Sequence, residues 1–188
     1  MKSDYQTIKV ELKDEVAVFT MDNPPVNQLS QHFVLELAQA LVEAYADDEI
    51  KSVVLTGTGK NFIAGADITQ IKDIKTKDKL LPKLRENNRF INAIETGPKP
   101  VVAAINGNCL GGGLEIAMAC HIRVMTDDAR LGQTEIALDH LPGGGIHRNG
   151  ARGHHARRRA VLPVVAIRSV RRRGRARVRW RGRSRDRG

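Results

Sequence analysis

Apolar and polar positions alternate along two short runs, Thr7 to Leu12 and Val16 to Met21, on either side of Lys13-Asp14-Glu15. A period of two sends successive side chains to opposite faces of a strand, so the pair reads as a β-hairpin opening the fold. Asp22-Asn23-Pro24-Pro25 stops its second strand. Ser30 is then placed to cap a helix in which Val34, Leu37, Ala38, Leu41 and Tyr45 recur at intervals of three and four, giving one packing face.

The pattern changes at Ser52-Val53-Val54-Leu55-Thr56-Gly57, a nearly all-apolar strand ending in glycine, and repeats at Val101-Val102-Ala103-Ala104-Ile105-Asn106-Gly107 after Pro98-Lys99-Pro100. Strands apolar on both faces imply burial between layers. Between them Leu80, Leu84, Ile91 and Ile94 mark a second amphipathic helix. Ile116 to Ala119 belong to a third, just after Gly111-Gly112-Gly113, and Ile122 to Met125 returns as a strand. Alternation of strand and helix predicts an α/β fold whose layers are joined by right-handed crossovers. No internal repeat is visible in the sequence.

A chain of 188 residues is long enough for one domain with a real core. No apolar run approaches the roughly 20 residues of a membrane helix, and Met1 to Val10 is polar where a signal peptide would be apolar. The expectation is a cytoplasmic protein without a membrane partner. Cys109 and Cys120 are the sole cysteines and form no CxxC pair, which points to reduced, buried thiols.

Net charge divides the chain. From Ile146 onward 16 Arg and one Asp give +15, so a total of +10 leaves −5 for the first 145 residues. The body uses Lys freely and Arg sparingly (Arg85, Arg89, Arg123, Arg130), whereas the tail contains no Lys. Residues 1–145 are therefore read as the domain and 146–188 as an Arg-rich disordered tail, with Ala160 to Ile167 its one apolar patch.

Leu110-Gly111-Gly112-Gly113-Leu114-Glu115 is a glycine-rich turn leading into a helix, an arrangement that presents free backbone N–H groups at a positive helix end and suits an anion or a developing oxyanion. A glycine triplet serves a tight turn with close backbone packing equally well. It lacks the Lys-Ser/Thr of a phosphate-binding loop and the GxGxxG spacing of a dinucleotide fold. His32, His121 and His140 have no ligand spacing and read as surface or hydrogen-bonded histidines, and no metal is expected.

Four segments taken together add a resemblance. Phe62-Ile63-Ala64-Gly65-Ala66-Asp67-Ile68, Asn106 to Glu115, Gly132-Gln133-Thr134-Glu135-Ile136 and Leu141-Pro142-Gly143-Gly144-Gly145 resemble, in order and spacing, the enoyl-CoA hydratase (crotonase) family. Asn23-Pro24-Pro25-Val26-Asn27 and Pro98-Lys99-Pro100 are weaker matches, the former similar to the N-terminal part of multifunctional fatty-acid oxidation proteins. The resemblance implies stacked sheet and helix layers built from ββα repeats. It implies an acyl-CoA thioester as substrate, in fatty-acid β-oxidation, with no cofactor beyond the coenzyme A that the substrate carries.

By that resemblance Ala66 and Gly112 supply the two backbone N–H groups of the oxyanion hole, and Ala64, Gly65, Ala66, Asp67 and Gly112 line the substrate site. Ala64 matches a backbone contact to the adenine, whereas Asp67 matches a position of loop geometry. Glu115 and Glu135 match the two catalytic carboxylates, Glu115 activating water and Glu135 delivering the α-proton. Two carboxylates favour a hydratase, with an isomerase on the same scaffold as the alternative. A hydrophobic cleft raises the pKa of at least one such carboxyl. The bare residue reading of either glutamate alone is a solvated surface charge.

After Gly145 the pattern departs. Family members continue with a Gly-Thr-Gln-Arg-like segment and helices that close the acyl pocket and build trimers; here the chain reads Ile146-His147-Arg148-Asn149-Gly150. The family's trimer or hexamer is accordingly not expected, and an open pocket would impair turnover. A frameshifted reading of a GC-rich gene accounts for the tail, because Arg, Gly, Ala and Pro arise from GC-rich codons in any frame. The alternative is an arginine arm that binds nucleic acid or other polyanions through charge.

Overall fold

A computed structural model describes residues 4–65, 88–133 and 164–167. Its larger sheet has six strands and a smaller sheet has three. The opening hairpin is β1 (Ile8–Lys13) against β2 (Val16–Met21), antiparallel, with Asp14 at φ 55° in the turn. Every other pairing is parallel: β2 with β3 (Ser52–Gly57), β3 with β5 (Val101–Ile105), and β5 with β7 (Ile122–Thr126).

Parallel neighbours need crossovers. The first is helix α1 (Gln31–Ala46). The next contains the small-sheet strand β4 (Asn61–Ala64) and helical residues 88–95, here α2. The third contains β6 (Asn108–Leu110) and helix α3 (Gly112–Ala119). β8 (Arg130–Gly132) follows β7 and pairs with β6. Strand of the large sheet, strand of the small sheet, then helix is the ββα unit, and it makes this a crotonase-like fold.

Ser30 caps α1 as expected, its hydroxyl accepting from Phe33 N–H at 3.2 Å. The buried stripe of α1 is Phe33, Leu37, Ala40, Leu41 and Ala44, whereas Val34, Ala38 and Tyr45 sit at its half-buried margin. β3 and β5 alternate between fully buried and half-buried positions instead of being buried on both faces. Val53, Leu55, Val101, Ala103 and Ile105 face one continuous core together with Phe19, Met21, Phe62, Ile63 and the α1 stripe. Ile91 and Ile94 join that core from α2; Leu80 and Leu84 lie outside the described residues.

Four residues of the tail are described. Val164–Ile167, within the segment expected to be disordered, forms β9, parallel to β7 in the register Arg123↔Val164 to Thr126↔Ile167. Three of its four residues are β-branched, and β7 would otherwise present an open edge to which such a run can pair.

Glu36 is a buried acid on α1 that no pattern of apolar positions announced. Its carboxylate accepts from Gln6 N–H and Thr7 N–H, both at 2.8 Å, and from the Thr7 hydroxyl at 2.5 Å, tying the chain before β1 to the helix. Burial raises its pKa, but these hydrogen bonds and the neighbouring His32 lower it by more, so the net shift is downward. The folded protein thus binds this proton less readily than the unfolded chain. The stabilisation is fully present above the ordinary carboxylate value of about 4.3 and is lost as pH falls through the lower folded value. Urea unfolding between pH 3 and 7 should therefore show a loss of stability on acidification that is shallower in Glu36→Gln. At neutral pH that variant should be less stable by about 1.5–3 kcal/mol, the worth of a charged hydrogen bond. Equal pH slopes in the two proteins would contradict this assignment.

Candidate functional site

The glycine turn is placed by the small sheet. Gly111 N–H donates to Gly132 O at 2.8 Å, joining the end of β6 to the end of β8. Gly111 itself has φ 53°, ψ −124°, a conformation that glycine adopts without the clash of a Cβ. Its carbonyl closes the first turn of α3 by accepting from Leu114 N–H at 2.9 Å and Glu115 N–H at 3.2 Å. The helix has no side-chain N-cap. Gly112, at the first helical position, has no carbonyl one turn back within the helix, and its N–H takes no acceptor among the described residues.

The end of β4 runs alongside this turn. A Cβ on Gly113 would come within 2.7 Å of Ile63 Cβ, so only glycine lets α3 lie so close to the strand. A Cβ on Gly112 would come within 2.6 Å of Leu29 Cδ1. Leu29 N–H in turn donates to Gly65 O at 2.9 Å, and Ala64 N–H donates to Val26 O at 3.3 Å. Any ligand contact from Ala64 therefore falls to its carbonyl. Gly65, at φ 91°, turns the chain out of β4 towards Ala66.

Glu115 lies one turn after Gly112, on the same side of α3, and is 8% exposed. This burial removes the reading of a solvated surface charge. Glu115 also interacts with groups around it. Ala66, Asp67 and Glu135 lie outside the described residues, so of the expected site residues Ala64, Gly65, Gly112 and Glu115 are the ones brought together. The described chain stops one residue before Ala66, at Gly65, and two residues before Glu135, at Gln133, which follows β8, whose end is bonded to Gly111.

Asparagines organise the surrounding loops. Asn27, buried with φ 55°, donates through Nδ2 to Asn61 O at 3.0 Å and accepts from Asn23 N–H at 2.8 Å. That geometry delivers Val26 and Leu29 to the end of β4. Asn106 meets Gly57 as a strand neighbour would, accepting from its N–H at 3.0 Å and donating to its carbonyl at 2.8 Å. A cavity of about 410 Å³ is lined by Pro24, Pro25, Asn27, Thr58, Gly59, Lys60 and Asn61. It lies at the start of β4, the opposite end from Ala64.

Both helices adjoining these loops are capped at their C-terminal ends by basic side chains, which the reading from sequence missed. Lys99 Nζ donates to Ala44 O at 2.6 Å and Asp47 O at 2.5 Å behind α1. Arg123 Nη1 donates to Ala117 O, Met118 O and Cys120 O behind α3. A lone arginine in an otherwise apolar strand, directly after a helix, was the signal available.

Cys109 and Cys120 are buried free thiols whose pKa values are pushed up to about 12, chiefly by burial. Such thiols are poor nucleophiles at neutral pH. His121 Nδ1 accepts from Val101 N–H at 3.1 Å, and His32 Nε2 stands 3.4 Å from Glu36. His140 lies outside the described residues. Among the described residues no group of three His, Cys, Asp or Glu is placed to hold a metal ion, and no helix is long and apolar enough to cross a membrane.

Comparison with known proteins adds an independent line. A model of the enoyl-CoA hydratase/isomerase family matches residues 11–162. A probable enoyl-CoA hydratase of Bacillus subtilis is 40% identical over 136 residues, which cover 72% of this chain and 53% of that protein. The fatty acid oxidation complex subunit alpha of Shewanella frigidimarina is 44% identical over 137 residues, covering 70% of this chain and 19% of that subunit. The chain therefore spans about half the length of the first relative and about a fifth of the second. Among solved structures, enoyl-CoA hydratase from Bacillus anthracis superposes with a TM-score of 0.73 at 31% identity, over 84% of this chain and 62% of that one. DspI of Pseudomonas aeruginosa gives 0.74 at 31% identity, over 81% and 62% respectively.

Proposed function

Because this chain belongs to the enoyl-CoA hydratase/isomerase family, we propose that it hydrates trans-2-enoyl-CoA to 3-hydroxyacyl-CoA, a step of fatty-acid β-oxidation. The thioester carbonyl oxygen accepts from Gly112 N–H and Ala66 N–H. As water adds, charge accumulates on that oxygen in an enolate, and preorganised donors stabilise it; removing one such donor typically raises the barrier by about 3–4 kcal/mol. Glu115 takes a proton from the attacking water, whose oxygen bonds to the β-carbon. Glu135 gives a proton to the α-carbon, completing the addition of one water. Ala64 and Gly65 line the path of the CoA moiety, with Asp67 shaping the loop beyond. The substrate brings its own coenzyme A, and the chemistry calls for no further cofactor.

The observation that carries this reading is the Gly112 N–H at the start of α3, which takes no acceptor among the described residues, one turn from the buried Glu115 and alongside the end of β4 that leads to Ala66. The test is to add the protein to crotonyl-CoA and follow both the absorbance of the conjugated thioester and the product mass. Loss of absorbance with gain of one water is the expected result. With a 3-enoyl thioester, a rise in conjugated absorbance at unchanged mass would identify an isomerase instead. No change with either substrate would refute the acyl-CoA reading of this chain.

A further inference from the structure

We propose that Arg123 is a positioning residue for this site, holding α3 from its C-terminal end and so setting where Gly112 N–H and the Glu115 carboxylate lie. The inference rests on the acyl-CoA reading above. α3 has eight residues, little more than two turns or about 12 Å, so whatever fixes one end fixes the other. Its N-terminal end is built from Gly111, Gly112 and Gly113, without a side-chain cap to lock it. Its C-terminal end is held by the Arg123 guanidinium, through Nη1 to Ala117 O at 3.0 Å, Met118 O at 3.2 Å and Cys120 O at 2.5 Å.

The anchor is buried and fixed on the sheet. Arg123 is 4% exposed and sits on β7, paired with Ala103 of β5 and Val164 of β9. Ala117 and Cys120 are buried as well, so water is a poor substitute donor for their carbonyls. Cys120 N–H and Sγ both go to Ile116 O and leave these three carbonyls to the arginine. Positive charge at this end also complements the helix dipole. A neutral side chain here would let α3 tilt or fray. The consequence appears at its other end, because reacting groups misplaced by about 1 Å lose on the order of 10²-fold in rate.

Lys99 provides the control, since it caps α1 in the same manner and α1 carries no residue of the site. The full chain would be compared with Arg123→Met, Arg123→Lys and Lys99→Met. Readouts are kcat and KM for crotonyl-CoA and the absorbance red shift of bound 2,4-hexadienoyl-CoA, which reports polarisation of its carbonyl. Arg123→Met should lower kcat by about tenfold to a hundredfold, with KM within about threefold, and should abolish most of the red shift. Arg123→Lys, which keeps the charge but carries it on a flexible, more strongly hydrated ammonium in place of the planar guanidinium, should fall between, about twofold to fivefold below the unsubstituted protein. Lys99→Met should lose stability yet keep kcat and the red shift.

Unchanged kcat and red shift in Arg123→Met would overturn the proposal, and if that variant fails to fold, unchanged values in Arg123→Lys would do so. Parallel loss of both readouts in Lys99→Met would overturn it too, by showing a general effect of stability. Should the unsubstituted chain neither hydrate nor shift its ligand, the acyl-CoA reading fails separately. Amide hydrogen exchange at Leu114 and Glu115 then decides on Arg123 alone: faster exchange in Arg123→Lys than in Lys99→Met supports the anchor, and equal rates refute it.

Discussion

Glu115→Gln should lower kcat for crotonyl-CoA hydration by about 10²–10⁴-fold, the range of a positioned general base. Glutamine keeps the size and hydrogen-bonding reach of the side chain, so the buried first turn of α3 remains packed. It loses the one property the proposed mechanism asks of Glu115, a carboxylate oxygen able to take a proton from water. Gly112 N–H is a backbone donor and is untouched by the change, so KM should stay within about threefold while kcat falls. A merely structural Glu115 would give the opposite pattern, a lower melting temperature with nearly normal turnover in the folded fraction. Turnover within about threefold of the unsubstituted protein would remove Glu115 from the mechanism.

Phe62→Ala should destabilise the fold by about 3–5 kcal/mol, a large share of the roughly 5–15 kcal/mol available to a domain. Phe62 is completely buried at the centre of β4, and its backbone packs so closely on Gly57 that a Cβ there would lie 2.8 Å from Phe62 Cα. Removing the ring therefore leaves a cavity in the core beside a backbone too closely packed to collapse into it. β4 also delivers Ala64 and Gly65 to the site, and its Ile63 abuts Gly113. Activity should consequently fall together with the folded fraction in urea. A loss below about 1 kcal/mol would mean that the ring is not a part of the core.

Much of this arrangement is visible in local patterns. The hairpin, α1 with its Ser30 cap, β3, β5 and β7 all rest on periodicity and on signals within a few residues, and each appears where that periodicity places it. The glycine turn into α3 is equally local, although the helix begins inside the triplet at Gly112 instead of after it. Gly111 explains why: it takes the left-handed φ that ends β6, freeing Gly112 for the first turn.

The small sheet is different in kind. β4, β6 and β8 have four, three and three residues, too short for a period of two to declare itself. They exist because the large sheet brings Asn61 beside Asn108, whose side chains bond at 2.9 Å, and Asn108 in turn into register with Arg130. β9 likewise depends on the edge of β7.

What the amino-acid sequence determined by itself was the family pattern, the α/β order and the chemistry on offer: a glycine-rich helix start with an acid one turn in. Those features are written in neighbouring residues, where backbone preference and side-chain type act directly. Only tertiary structure decided that Glu115 is buried, that Leu29 and Ile63 crowd the glycines, that Glu36 is an internal acid, and that Arg123 holds the far end of α3. Each of these depends on groups distant in sequence meeting in space, and burial, hydrogen bonding and close approach are properties of the pair, not of either residue.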